Sequence, residues 1–472
     1  MHHSKSSLIT LISVFFFWGF VAASNTILIP LFKENFQLLQ WQSQLVDSAF
    51  YLAYAVGALV YFLISIFAVD PLNKIGYKNG LIIGLAISAV GALGFVPAAN
   101  SGSFALMLVS LFIVGLGFAL QQIVANPYVI ALGDPATGAH RVSLAGGINS
   151  FGTMIGPLLV SYAIFGNITG ESDSATSIEA VKKPYLILCG AFLLFGLILW
   201  LSKLPAIRNE AHLERNIGAL KYPQLVLGML AIFAYVGVEV TIQSNLPELM
   251  RQPGILNREP EETVHFISLY WGSLMIGRWT AALTVFNLSR RWKAVLMLVV
   301  PLAAYGVMIL VNYLKLSAAG RPDDIIDLLL YFPMVITLII AFFVGNEKPA
   351  RTLMLFSTIA MFMMIGGLLF SGRLALYAFI SGGLFCSIMW PCIFSLSIAG
   401  LGKYTNQGSS LLVMMIFGGA VIPPAQGLVS DLTGNIHLSY IVPVLCFAYL
   451  VFYAWKVKSI LKRQEIDYDQ KS

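Results

Sequence analysis

The chain has 472 residues, of which 58% are hydrophobic and only 11% are charged. Soluble domains carry about 25% charged residues, so this composition excludes a soluble enzyme or binding domain that faces water on all sides. The formal net charge is +6, but the Lys and Arg residues stand in short clusters between long apolar runs, which argues against a nucleic-acid-binding surface. We therefore predict a polytopic integral membrane protein.

Long apolar runs recur from one end of the chain to the other. A run of about 20 apolar residues crosses the hydrocarbon layer as a helix, because a helix satisfies its own backbone hydrogen bonds in lipid. In chain order the predicted spans are 8–32, 43–69, 79–98, 103–131, 141–166, 183–203, 222–246, 263–287, 293–314, 325–345, 352–371, 374–399, 405–430 and 437–457. The sequence thus predicts an all-α membrane protein with about 14 transmembrane helices, six before and eight after a polar stretch at 204–221.

The basic residues favour one orientation in the membrane. An even number of spans places both termini on the same side. If that side is the cytoplasm, the inside segments hold 19 of the 28 Lys and Arg residues, the outside segments hold eight, and Arg278 lies within a span. Because cytoplasmic loops are enriched in Lys and Arg, this distribution predicts cytoplasmic N- and C-termini.

The two halves of the chain share a sequence pattern. Ala125-Asn126-Pro127-Tyr128 in the first half parallels Met389-Trp390-Pro391-Cys392 in the second. A Gly-rich span follows each motif, with Gly152–Pro157 in one half and Gly418–Pro424 in the other. The alternative explanation is that Gly and Pro simply recur in membrane helices.

Repeated halves joined by a cytoplasmic linker are typical of secondary transporters, whose substrate site lies between the halves near the bilayer midplane. We therefore predict an N-terminal six-helix bundle at 1–203, a cytoplasmic linker at 204–221 and a C-terminal bundle at 222–472.

Several short motifs follow one another at regular places along the chain. They are Phe15-Phe16-Phe17-Trp18-Gly19-Phe20, Ala125-Asn126-Pro127-Tyr128, Asn149-Ser150-Phe151-Gly152, Tyr235-Val236-Gly237-Val238-Glu239-Val240, Tyr270-Trp271-Gly272, Ile276-Gly277-Arg278, Gly383-Leu384-Phe385 and Gly418-Gly419-Ala420-Val421-Ile422-Pro423-Pro424. In this order they resemble the fucose–galactose–glucose–proton symporter family, a sugar-transporting branch of the major facilitator superfamily. The resemblance implies the major facilitator fold of two six-helix bundles, twelve spans, uptake of a sugar and coupling to the proton gradient.

Two of the predicted spans are surplus to that family pattern. Arg351–Phe370 leads into Gly383-Leu384-Phe385 as the family's ninth span would, which leaves 293–345 without a counterpart. We therefore predict that 293–345 is an inserted two-helix transmembrane hairpin. Two added helices preserve the topology of every span that follows.

We single out three charged residues within predicted spans: Asp47, Glu239 and Arg278. A charge inside a span is costly, so each is a candidate functional residue. Glu239 and Arg278 lie in neighbouring spans of the second half. The alternatives to a role at the substrate are a structural ion pair between them, or an Arg278 that holds the cytoplasmic end of the eighth span.

The resemblance implies a proton-binding acidic residue in the first span, but Thr26 stands at that position, and Gln122 stands where some members have a second acid. Asp47 replaces what resembles a family glutamine near the outer end of the second span. Because desolvation disfavours a charged carboxylate, a partly buried Asp47 would load a proton from outside, which makes it the proton-coupling candidate. The alternative is a solvated Asp47 at the lipid–water boundary with no special role.

A sugar site is expected to place an aromatic face against the apolar side of the ring and amide side chains on its hydroxyls. The candidate substrate-binding residues are Gln121, Gln122, Asn126, Asn149, Gln243, Asn245, Trp271 and Trp390. Gln122 and Asn126 are one helical turn apart and share a face of their span. For any single Trp, the alternative is a lipid-facing or core position.

The sequence therefore predicts a secondary active transporter that imports a hexose or related sugar by symport with a proton, or with sodium, through alternating access in a bacterial cytoplasmic membrane. An uncoupled sugar facilitator is one alternative, because the family's proton site is missing. A sugar sensor that has lost transport is another, because the inserted hairpin would fit a sensor. We predict no enzymatic activity, cofactor, metal site or nucleic-acid partner. The identity of the sugar and the oligomeric state stay open.

Overall fold

A computed structural model describes residues 2–38, 45–67, 71–133, 138–165, 177–205, 218–258, 263–283, 288–345 and 348–466. The α-helices of these residues, numbered in chain order, are α1 (His2–Ile12), α2 (Val14–Asn35), α3 (Leu45–Phe67), α4 (Pro71–Asn100), α5 (Phe104–Ala131), α6 (Gly138–Phe165), α7 (Lys182–Leu201), α8 (Pro223–Arg251), α9 (Val264–Ala282), α10 (Arg290–Ala318), α11 (Ile325–Leu329), α12 (Phe332–Gly345), α13 (Pro349–Leu369), α14 (Gly372–Cys386), α15 (Met389–Ile398), α16 (Thr405–Met414), α17 (Gly418–Thr433), α18 (Ile436–Ser439) and α19 (Ile441–Arg463).

Within the described residues, twelve helical segments are long and apolar enough to cross a membrane. The agreement with the predicted spans is close for α5, which was expected at 103–131 and is observed at Phe104–Ala131. α6 and α9 coincide with two further predicted spans and are helical over 28 and 19 residues. Neither helix is among the twelve candidate spans. The structure therefore shows an all-helical membrane protein with twelve candidate spans.

α4 begins at Pro71, earlier than the predicted start of its span at residue 79. A proline is tolerated in the first turn of a helix because its missing N–H has no intrahelical partner there. The helix is interrupted at Gly76, whose φ of 77° and ψ of 162° are disfavoured for any residue with a Cβ atom. The added turn ahead of the span is therefore a separate short helix, and Gly76 redirects the chain into the span.

The chain divides into two compact units. Unit 1 comprises Met1–Pro135, Phe151–Tyr222 and Leu401–Phe417, and unit 2 comprises Ala136–Ser150, Pro223–Gly400 and Gly418–Ser472. Each unit thus contains most of one predicted half and a short segment of the other. α6 contributes its first part to unit 2 and its remainder to unit 1.

The same helix pairings occur inside both units. In unit 1, α4 packs against α5 and α7, and α3 packs against α5. In unit 2, α13 packs against α14 and α19, and α9 packs against α14. The pair α4–α7 therefore corresponds to α13–α19, and α3–α5 corresponds to α9–α14, as a repeated architecture requires.

The closest approaches between helices are also repeated. A Cβ atom at Gly152 of α6 would collide with the carbonyl oxygen of Phe16 in α2, and one at Gly418 of α17 would collide with the carbonyl oxygen of Phe233 in α8. Small residues let helix backbones approach in lipid, where packing rather than a hydrophobic force holds helices together. Both glycines belong to the Gly-rich segments that repeat in the sequence, so the contacts support that repeat.

α14 and α15 lie in the interior of unit 2, whereas α10 lies at its periphery. In the segment Gly372–Ile398, 94% of the apolar stretch is buried, against 28% in α10. Trp292 and Leu310 of α10 are 64% and 57% exposed. A continuous exposed apolar surface of this kind is typical of a helix that faces lipid.

A buried charge cluster attaches the segment α10–α12 to its neighbours. Asp327 in α11 is 1% exposed, and its carboxylate oxygens lie 2.8 Å from Arg373 Nη2, 3.5 Å from His265 Nε2 and 3.6 Å from Arg258 Nη1. Tyr377 donates a hydrogen bond of 2.7 Å to the Asp327 carbonyl oxygen. These residues, the Asp327 cluster, were not singled out from the sequence. They join α11 to α9, to α14 and to the segment that follows α8.

Candidate functional site

In unit 1, α5 presents two predicted substrate residues one helical turn apart. Gln122 Nε2 donates a hydrogen bond of 3.2 Å to the hydroxyl of Tyr54 in α3. Asn126 is fully buried, and its Nδ2 donates to the Gln122 carbonyl oxygen at 2.9 Å. Asn126 Oδ1 has no hydrogen-bond partner among the described residues. Because an unpaired buried acceptor costs about 1–3 kcal/mol, this oxygen is suited to accept a hydrogen bond from a ligand hydroxyl.

Gln121, the residue before Gln122, has a different environment. It is fully buried, its Oε1 accepts a hydrogen bond of 3.1 Å from Trp18 Nε1 in α2, and its Nε2 donates at 3.1 Å to Ser88 Oγ in α4. The amide therefore has partners on two neighbouring helices. This position suits the packing of α2, α4 and α5, since adjacent residues of a helix point about 100° apart.

In unit 2, Glu239 and Arg278 form an ion pair between α8 and α9. Arg278 Nη2 lies 3.6 Å from Glu239 Oε1, and the two side chains are 12% and 15% exposed. The Tyr270 hydroxyl donates to the Glu239 backbone carbonyl oxygen at 2.6 Å, which fixes α9 against α8 at this level. Arg278 Nη2 also lies 3.4 Å from the hydroxyl of Tyr235, one helical turn before Glu239. The predicted neighbouring charges are thus in contact.

The first part of α6 completes this group. Arg278 Nη1 donates to Asn149 Oδ1 at 3.3 Å and to Ser150 Oγ at 3.0 Å. Trp279 Nε1 donates to the Gly147 carbonyl oxygen at 3.2 Å. A Cβ atom at Gly146 would lie 3.5 Å from Arg278 Cδ, so a larger side chain at that position would meet the arginine stem. One guanidinium therefore bridges α6, α8 and α9.

Aromatic side chains flank the same group. The ring of Trp390 in α15 lies 6.3 Å from the ring of Tyr235, and it stacks on Phe394 at 5.9 Å. Trp390 and Trp271 are both half-buried. Trp271 packs edge-on against Tyr270 at 5.8 Å. A half-buried indole ring suits the apolar side of a sugar ring.

For the remaining predicted residues, the structure gives fewer contacts that bear on substrate or proton binding. Gln243 is half-buried and follows Glu239 by one turn of α8. Asn245 Nδ2 donates to the Thr241 carbonyl oxygen of its own helix at 2.9 Å. The side chains of Asp47 and Thr26 lie outside the described residues.

Sequence reasoning missed Tyr54, Tyr235 and Ser150 as partners of the predicted residues. For Tyr235 a signal existed, because a spacing of four residues places it on the Glu239 face of α8. Within the described part of the chain, no group of three His, Cys, Asp or Glu side chains could hold a metal ion. The residues described in unit 1 and in unit 2 supply amides, aromatic faces and one carboxylate–guanidinium pair. Such side chains suit the binding of a polar ligand and of a proton.

Comparison with known proteins identifies the family of the chain. Residues 9–345 match the family model of the Major Facilitator Superfamily. A "Glucose/galactose transporter" of Brucella abortus is 33% identical over 450 residues, which cover 95% of this chain and 93% of that protein. The "L-fucose-proton symporter" of Escherichia coli K12 is 29% identical over 470 residues, which cover 94% of this chain and 91% of that protein.

Solved structures give the same result. A crystal structure of the E. coli fucose:proton symporter superposes with a TM-score of 0.72 at 26% identity, and the match covers 96% of this chain and 99% of that one. The resemblance expected from the sequence motifs is thereby confirmed. The chain belongs to the major facilitator superfamily, and it is a membrane transporter rather than an enzyme.

Proposed function

We propose that this protein imports a sugar by symport with a proton, through alternating access in a bacterial cytoplasmic membrane. The observation that carries the proposal is the match, over 95% of the chain, with a bacterial protein named for glucose and galactose transport. The name of the E. coli relative, an L-fucose-proton symporter, supports a proton as the coupling ion. The amide and aromatic side chains described above suit a sugar, and the carboxylate side chain suits a proton.

We also propose that α6 and α9 cross the membrane, which would give 14 spans. At 1.5 Å per residue, their 28 and 19 residues extend about 42 Å and about 28 Å, near or above the thickness of the hydrocarbon layer. The predicted bundles at 1–203 and 222–472, the linker at 204–221 and the cytoplasmic termini belong to this topology. The segment 293–345 is then an inserted hairpin that packs on α9, α13 and α14.

For the sugar, we propose hydrogen bonds from amides and contacts with indole rings. Gln122 and Asn126 supply the amides of unit 1, and Asn126 Oδ1 is the acceptor without a described partner. In unit 2 the proposed residues are Asn149, Gln243, Asn245, Trp271 and Trp390. Gln121 is the weakest member of the predicted set, since both groups of its amide already bind protein atoms.

For the proton, Asp47 remains a proposed loading residue, because it lies three residues into α3 and Thr26 cannot titrate in a useful range. A carboxylate that is partly withdrawn from water gains affinity for a proton, which would let it load from the outside.

The proposal is tested with purified protein in proteoliposomes and a panel of labelled glucose, galactose, fucose and an amino sugar. We expect at least one sugar to accumulate above equilibrium under an inward proton gradient, and only to equilibrate when a protonophore removes the gradient. A sodium gradient in place of the proton gradient gives the matched control. Equilibration that ignores both gradients would identify a facilitator, and absence of flux for every sugar would favour a sensor.

The adjacent amides Gln121 and Gln122 offer a matched pair of variants. Gln122→Ala removes a proposed sugar ligand, and we expect the KM for uptake to rise about tenfold, the effect of about 1.4 kcal/mol, with little change in melting temperature. Gln121→Ala leaves Trp18 Nε1 and Ser88 Oγ without their amide partner. We expect it to cost about 1–3 kcal/mol of stability with an unchanged KM in the folded fraction. The reverse pattern would contradict the proposed site.

A further inference from the structure

We propose that Glu239 is a carboxylate that takes up and releases the coupling proton during transport, and that Arg278 is its counter-charge. The inference rests on the proposed symport and names a protonation site for it. The reaction is addition of one proton to the Glu239 carboxylate from one side of the membrane and its release to the other. No covalent bond to substrate is involved.

Glu239 lies near the middle of its helix. α8 runs from Pro223 to Arg251, so Glu239 is about 24 Å from the start and about 18 Å from the end at 1.5 Å per residue. Among the acidic side chains that the structure describes, the others lie at or near helix ends, including Glu248 in α8 and Asp431 in α17. A carboxylate at the middle of a span is costly and is functional by default.

Only one member of the Glu239–Arg278 pair can lose its charge. A guanidinium keeps its charge in proteins, whereas a carboxylate can become neutral by binding a proton. The net charge of the pair is therefore set by Glu239 alone. If Glu239 becomes neutral, Arg278 still has three neutral oxygen partners within 3.4 Å, on Asn149, Ser150 and Tyr235. The site is thus equipped for both protonation states of Glu239.

The surroundings of Glu239 contain no other described charge that would compete with Arg278. α9 brings Arg278 and Tyr270, α14 brings Cys386, and Tyr235 is on α8 itself. Tyr440, ahead of α19, lies near Tyr270 and donates to the Ile242 carbonyl oxygen at 3.1 Å. The side chains that α15, α17 and α19 place against α8 include those of Trp390, Ser397, Ile422 and Tyr453. Phenols and thiols are neutral at physiological pH, so the proton balance of this group depends on Glu239.

Because Arg278 contacts both Glu239 and Asn149, binding of the sugar and protonation of Glu239 are expected to favour each other. Arg278 stabilises the charged form of Glu239, and the same guanidinium contacts Asn149, a proposed sugar ligand. A sugar hydroxyl that accepts a hydrogen bond from Arg278 would weaken the pair and so favour the protonated form of Glu239. Linkage makes the effect reciprocal, so a protonated Glu239 would favour sugar binding. Cooperative binding of the two ligands is what symport requires.

The test compares Glu239→Gln with Glu248→Gln in proteoliposomes. Glu248 is on the same helix, pairs with Arg251 at 3.5 Å, and has a side chain 57% exposed, so the same substitution there removes an exposed carboxylate. We expect Glu239→Gln to lose proton-driven accumulation. Sugar exchange down a preloaded sugar gradient should continue in this variant and should no longer vary with pH. Glu248→Gln is expected to accumulate sugar as the unmodified protein does.

A second variant protects the test against misfolding, because Glu239→Gln leaves a buried arginine without its counter-charge. The double variant Glu239→Gln, Arg278→Gln has no charge at the site, and we expect it to exchange sugar without accumulating it. Normal accumulation by Glu239→Gln would overturn the proposal. A folded double variant that loses both sugar exchange and accumulation would also overturn it. Loss of accumulation in Asp47→Asn together with normal accumulation by Glu239→Gln would place the coupling proton on Asp47 and would likewise overturn the proposal. If the unmodified protein never accumulates sugar under a proton gradient, the proposed symport itself fails, and this site with it.

Discussion

Replacing Gly418 by alanine is expected to remove most of the folded, transporting protein. A Cβ atom at this position would overlap the carbonyl oxygen of Phe233, and backbone atoms cannot rotate out of the way as a flexible side chain can. α17 and α8 would have to separate along their contact. Overpacking of this kind costs typically about 1–3 kcal/mol, and here the loss of close helix packing in lipid adds to it. The measurement is the melting temperature of the purified protein and its yield from membranes.

Gly427 provides the control for Gly418, because it lies in the same helix and a Cβ atom there meets no heavy atom within 4 Å. Gly427→Ala should therefore be neutral or slightly stabilising, since alanine is favoured over glycine in a helix by up to about 1 kcal/mol. Gly152→Ala should behave like Gly418→Ala, because its Cβ atom would overlap the carbonyl oxygen of Phe16. Unchanged melting temperatures of Gly418→Ala and Gly152→Ala would refute the repeated close contact.

Asp327→Asn is expected to destabilise the protein by about 1–3 kcal/mol, because it replaces a buried, charged hydrogen-bond acceptor by a neutral amide. Arg373, Arg258 and His265 all face this carboxylate, which is 1% exposed. The loss should appear as a lower melting temperature and as faster proteolysis within the segment α10–α12. Both readouts follow from the way the cluster joins α11 to its neighbours.

Asp324→Asn is the matched control for the Asp327 cluster. Asp324 lies one turn earlier, its side chain is 20% exposed, and it contacts Arg258 at 3.4 Å and Arg321 at 3.7 Å. Pairs with access to water contribute about 1 kcal/mol or less, so this variant should melt close to the unmodified protein. Equal effects of the two substitutions would show that burial of Asp327 is not what holds the segment in place.

The helices were predictable from the sequence where an apolar run is continuous, and their breaks were not. α5 matches its predicted bounds although Pro127 lies inside it. The predicted span 374–399 is instead divided between α14 and α15 at Ser387 and Ile388. Pro391 lacks an N–H for the carbonyl oxygen of Ser387, and its ring would crowd that oxygen. Two equivalent prolines thus have different local outcomes, which only the packing around each of them decides.

The candidate site was predictable in its charges and less so in its partners. Glu239 and Arg278 stand out in the sequence because a charge within a span is costly. The contact between Arg278 and Asn149 depends on the first part of α6 packing in unit 2, and such a tertiary contact has no periodic signal in the sequence. Asp327 lies within the predicted span 325–345, near its start, and at that position a charge also fits a solvated helix end. Its burial depends on two arginine side chains and one histidine side chain from distant parts of the chain.

The most direct measurement of the central claim is the pH inside weakly buffered proteoliposomes when a transported sugar is added outside without an imposed gradient. Symport predicts that the interior acidifies as the sugar enters, in a fixed ratio of protons to sugar, and that Glu239→Gln takes up sugar without acidification. Sugar entry with constant internal pH in the unmodified protein would contradict the account and leave a facilitator.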